Sequence, residues 1–154
     1  MKEGFLGTAA PLMADCVLLL EIAMGVGLLI GAWLARRRRF RQHAWCQSVI
    51  VLLNLAVVAA VMVPSFGVHV LPRIPARLGR AYYALATGHA ALGTLTELAG
   101  LYTLLSAGTS ILPEKLRITN YKLWMRSVLV LWWIVLLLGA ATYTRWYAPS
   151  LFRK

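Results

Sequence analysis

The stretch AYYALATGHAALGTLTELAGLYTLLSAG, residues 81–108, decides how the rest of the chain is read. It is long and apolar enough to cross a bilayer, yet it encloses His89 and Glu97, which is costly in hydrocarbon unless both find partners. Wound into a helix, it gathers His89, Gly93, Thr96, Gly100 and Thr103 along one stripe with Glu97 at its edge. Leu85, Leu92, Ala99 and Leu105 fall on the other side. Helices in a membrane associate through small residues and interhelical hydrogen bonds, so Ala84, Gly88, Gly93 and Gly100 predict close neighbours. The stretch is therefore expected at the centre of a bundle.

Apolar residues make up 60% of the 154 residues and charged ones 14%, with a mean hydropathy of +0.72. That composition excludes an ordinary soluble domain and points to an integral membrane protein in a single domain, 1–154. The formal charge of +11 does not imply nucleic acid here. Its Lys and Arg fall between apolar runs, where they act as topology signals and contacts for anionic headgroups.

Four spans are expected, at about 11–35, 44–66, 81–108 and 121–147, in an all-α, up-down four-helix bundle. The first is followed, not preceded, by positive charge, unlike a secretory signal. Gly27 and Gly31 give it a GxxxG face. Pro64 and Gly67 predict the end of the second span. Residues 68–80 mix three arginines with apolar side chains, as an interfacial segment does. Tyr82, Tyr83, Tyr143, Trp146 and Tyr147 form an aromatic belt. Arg36, Arg37, Arg38, Arg39 and Arg41 concentrate positive charge in the first loop. They are read as lipid-headgroup contacts on the cytoplasmic side, with both termini outside.

With helical rise fixing depth, Glu21 and His89 fall at one level with Asn54 within reach of it. Glu97 lies deeper, with Arg126 approaching from the cytoplasmic side, and the two are expected to form an ion pair. These residues either bind the helices together or form a haem, quinone or proton site. His43 at the inner mouth of the second span is separated in depth from His89, so the two cannot share one iron, and each is considered as a single ligand. Copper near the outer face would draw on Met13, Cys16, Met62 and His69, and the identity of any metal stays open. Cys16 and Cys46 fall at opposite ends and are expected as free thiols. No hydrolase, zincin or P-loop motif is present, so a freestanding enzyme is not expected.

From Arg41-Gln42-His43 through Ala81–His89 to the Tyr-bounded fourth helix, the chain resembles a widespread bacterial family of small four-helix membrane proteins. That family has no settled function, is often found near cytochrome oxidase genes, and is loosely similar to cytochrome b561-like haem proteins. The likeness covers residues 43–147. His43 and His89 match two of the family's histidine positions, whereas the third falls near Asn120. The resemblance implies a bacterial inner-membrane location. It also implies a role as subunit or assembly factor of a redox or energy-converting complex, in contact with other subunits and with lipid. Haem b or quinone would bind near His89, with Glu21, Asn54 and His43 as further candidates. A small proton or solute translocator using Glu21, His89 and Glu97 is the alternative from a different class.

Overall fold

A computed structural model describes residues 4–148, so the two ends expected outside lie partly beyond the described residues. The described residues are helical, without a strand. Four long helices carry the structure: α1 (Leu12–Arg36), α2 (starting at Phe40–Val57), α3 (Ala81–Gly108) and α4 (Tyr121–Tyr147).

Pro11, in extended conformation, opens α1. The reversal into α2 is made in three residues, with Arg38 in the left-handed region at φ 59°. Arg36, Arg37, Arg38, Arg39 and Arg41 are all exposed there, and the Arg37 guanidinium lies 5.3 Å from the Trp33 ring centre. The small residues of α1 do what their spacing predicts. A Cβ on Gly27 would stand 2.8 Å from Ile50, and one on Gly31 would meet the Gln47 side chain. Close approach bares carbonyls of α1 to polar side chains of α2. His43 Nδ1 donates to Gly31 O at 2.8 Å, Cys46 Sγ to Gly27 O at 3.4 Å and Gln47 Nε2 to Leu28 O at 3.4 Å.

The second helix does not stop at Pro64 as expected. It continues through a π turn at Val58–Met62 into Val63–His69, all counted here as α2. Proline has no N–H and crowds the preceding turn, which in an α-helix breaks the ladder. The wider π turn absorbs this defect, with the Val63 N–H bonding to Val58 O. A 3₁₀ turn, Leu71–Arg73, and one helical turn, Ile74–Arg77, then lead to α3. Asn120 caps α4 by accepting the Leu123 N–H at 3.3 Å.

The four helices form a ring in which α1 packs on α2 and α4, and α3 on α4 and α2. Neighbours run antiparallel: Asp15 meets Tyr143 while Gly25 meets Leu136, and Ser106 meets Tyr121 while Tyr82 meets Trp146. Met24, Leu28, Ile50, Val51 and Trp132 make the main core. Val70, Tyr83 and Ala86 make a second, packed by Phe66, Ile74, Tyr82 and Trp146 at the end where α3 begins.

Leu29, Ile30, Leu52, Leu53, Val130 and Leu137 are among the large apolar side chains on the outside. Among the described residues three helices are long and apolar enough to cross a membrane: Leu12–Arg36, Phe40–Arg73 and Tyr121–Tyr147. With 28 residues α3 is longer than the first and the last of these, but its Gly, Thr, His89 and Glu97 leave it outside that class.

Candidate functional site

Glu97 on α3 is 5% exposed, and its Oε2 accepts a hydrogen bond from Asn54 Nδ2 on α2 at 2.8 Å. Its Oε1 is buried without a partner. Glu21 on α1 has the same condition, a buried Oε1 with no hydrogen bond, and lies near enough to Glu97 for the two carboxyl groups to repel. Two acids and one amide, from three helices, thus converge in the interior.

The expected ion pair between Glu97 and Arg126 does not form. Arg126 is exposed on α4, beside Ser127, Val130 and Leu131 at a shallow depression, while Glu97 turns to Asn54. The physical reason is desolvation. An amide supplies a donor without taking a second charge out of solvent, whereas burying a guanidinium would cost several kcal/mol, on the order of the attraction it gains.

His89 is held by α4. Its Nδ1 donates to the Val135 carbonyl at 3.0 Å, which as an acceptor fixes the proton on Nδ1 and leaves Nε2 its lone pair. The ring lies across Gly139, where a Cβ would stand 2.9 Å from its Cε1. Glu21 is therefore not the hydrogen-bond partner of His89, although both belong to the interior. Gly139 escaped the sequence reading, since a glycine between Leu138 and Ala140 carries no signal until its neighbour is known. Gly139→Val should displace the ring and destabilise by about 1–3 kcal/mol, the usual cost of overpacking. The same change in a His89→Ala background should cost clearly less, as read by thermal unfolding in detergent; equal costs would mean that the ring does not fill that space.

His43 and His89 are held by different helix pairs, His43 on α1 and His89 on α4, and do not form a ligand pair. Exposed His69 bonds back to Ser65 O of its own helix at 3.0 Å. Among the described residues no three His, Cys, Asp or Glu side chains gather as a metal site would require. Cys16 and Cys46 are free thiols. Much of the polar stripe of α3 is satisfied within the helix: Thr96 donates to Leu92 O at 2.8 Å and Thr103 to Ala99 O at 2.7 Å. Thr103 also receives the Trp124 indole N–H at 2.7 Å.

The most enclosed polar group among the described residues lies in the first turn of α1. Asp15 is fully buried. Its Oδ2 accepts the Phe5 and Leu6 N–H groups at 2.7 and 2.9 Å, and its Oδ1 accepts the Tyr143 hydroxyl at 2.5 Å. The Tyr143 oxygen in turn accepts from Thr8 Oγ1 at 2.7 Å, and the Ala9 N–H bonds to Tyr147 O at 3.1 Å. Residues 4–10 thus form a strap across the end of the bundle, tying α1 to α4. Gly7 turns it at φ 69°, and Gly4 leaves room for the Asp15 carboxylate.

Comparison with family models, with curated proteins and with solved structures finds no match to this chain.

Proposed function

We propose that the chain is a four-span subunit or assembly factor of a redox or energy-converting complex in the bacterial inner membrane, with α3 as the fourth span. The observation that carries this reading is the convergence of Glu21, Asn54 and Glu97 inside helices whose outer surfaces are apolar. Buried ionisable groups in a membrane are expensive and mark sites of function. For α3, support comes from its length, from its place in the ring between α2 and α4, and from the outward exposure of Leu95 and Leu98. The resemblance noted for residues 43–147 supplies the class of complex. Within this reading the unshared Nε2 of His89 is the atom available to a haem iron or a quinone.

Two experiments test it. Native purification followed by mass spectrometry should return partner chains of an electron-transfer or ion-translocating complex; a chain that always purifies alone would remove the subunit reading. Arg38→Cys should be labelled by an impermeant maleimide only after the cells are opened, because clustered arginines resist translocation. Labelling in intact cells would reverse the topology and put both termini in the cytoplasm.

A second reading, a small proton translocator, is favoured by one specific feature. Glu21 and Glu97 each carry a buried Oε1 that no described group bonds, a setting that accommodates a proton more readily than a second negative charge. Proton flux into vesicles containing the protein, absent in Glu97→Gln, would move this reading ahead of the first.

A further inference from the structure

Arg73, Arg77 and Arg80 lie on the short turns joining α2 to α3, and all three are exposed. The chain has five acidic residues against sixteen basic ones, and the described acids are committed elsewhere. Asp15 holds the strap, Glu21 and Glu97 are inside the bundle, and Glu114 lies in the α3–α4 loop at the opposite end. None of them neutralises this group of arginines.

Arg73 and Arg77 stand four residues apart on these turns, and both come near Tyr83, a residue only 5% exposed. Tyr83 is in turn fixed by fully buried Val70 and by Ala86, Phe66 and Ile74. One phenol oxygen cannot engage two five-donor forks, so most of their N–H groups remain available. Val68, Leu71 and Leu78 of the same segment are 71%, 56% and 48% exposed, presenting an apolar surface among the arginines. Tyr82, stacked on Trp146 with ring centres 4.9 Å apart, supplies the aromatic pair common at headgroup depth.

A pair of forks beside exposed aliphatic side chains matches a molecule with an anionic head and hydrocarbon tails. We propose that Arg73 and Arg77, four residues apart on the exposed turns before α3, bind the phosphate of an anionic phospholipid, whose acyl chains lie along Val68, Leu71 and Leu78. The proposal rests on the membrane reading above and places this lipid in the leaflet opposite the Arg36–Arg41 loop. Three cations with no described acid beside them favour an anionic headgroup over a zwitterionic one, because they repel the ammonium that accompanies a zwitterionic phosphate. Planar forks also bind phosphate in a paired geometry that lysine cannot reproduce.

The test is native mass spectrometry of the whole protein from lipid nanodiscs containing phosphatidylcholine with increasing phosphatidylglycerol. Wild type should retain phosphatidylglycerol, and the Arg73→Gln/Arg77→Gln double variant should retain about tenfold less, with Arg73→Lys/Arg77→Lys in between. The lysine variant keeps the charge and carries the test if the glutamine variant does not fold. Equal retention by all three proteins, or retention of phosphatidylcholine as strong as that of phosphatidylglycerol, would overturn the site. Displacement of the lipid by millimolar inorganic phosphate would assign the arginines to a soluble anion instead and also sink the proposal. These readouts do not involve a partner chain, so failure of the subunit reading would be seen separately in the co-purification.

Discussion

Asp15→Ala should release residues 4–10 from the end of the bundle. The carboxylate is the acceptor for two backbone N–H groups and one phenol, and all three lose their partner at once. Hydrogen bonds to a charged acceptor are the strong kind, and each one lost favours opening, so amide exchange at Phe5 and Leu6 should accelerate by at least about tenfold. Asp15→Asn, which keeps one acceptor oxygen, should fall between wild type and alanine. Tyr143→Phe should do least to these amides, since it leaves both backbone bonds in place. Hydrogen exchange of the N-terminal peptide in detergent reads all three. Unchanged protection in the alanine variant would mean that the strap is held by Thr8 and Ala9 alone.

Asn54→Leu is expected to be the other costly change. It leaves Glu97, already lacking a partner on Oε1, with no described donor at all. An orphaned buried acceptor costs about 1–3 kcal/mol, more than the roughly 0.6 kcal/mol typical of an interhelical hydrogen bond in a membrane. Adding Glu97→Leu to Asn54→Leu should recover most of that loss, because the orphan is then gone. Arg126→Gln should cost little, as exposed charges do, and its effect should add to that of any change at Glu97. Unfolding in mixed micelles gives the cycle. A coupling between Glu97 and Arg126 above about 1 kcal/mol would restore the ion pair that the structure does not contain.

What could be read beforehand follows from the kind of signal each residue carries. Polarity and punctuation place helices over 81–108 and 121–147, and α3 and α4 occupy those residues. Gly27 and Gly31 likewise reveal a close-packing face, because a GxxxG pair implies a neighbour without naming it. The partner residues were not legible. His43, Cys46 and Gln47 bond to backbone carbonyls of α1, and a carbonyl is present at every position whatever the side chain. Glu97 invited pairing with Arg126 by charge, yet helix rotation gave it Asn54. Asp15 carries no signal of its role in the sequence, since its partners are the backbone of a strap whose course depends on Gly4 and Gly7. Pro64 misled for the opposite reason: its local rule is strong, but a compensating turn upstream satisfied it.

That compensating turn also sets a phase. An α-helix advances about 100° per residue, so in an unbroken α2 Phe66 and Val70 would be rotated roughly 120° and 160° away from Asn54. The π turn holds one surplus residue and takes back about one such step, returning Phe66 and Val70 to the inward side, where they cover Tyr83. Deleting one residue from 58–62 would remove the surplus and let a regular helix carry Phe66 and Val70 to that same inward side. Straightening the turn at its present length would instead swing both toward lipid. The surplus residue keeps the end of α2 in phase only while it stays in a π turn.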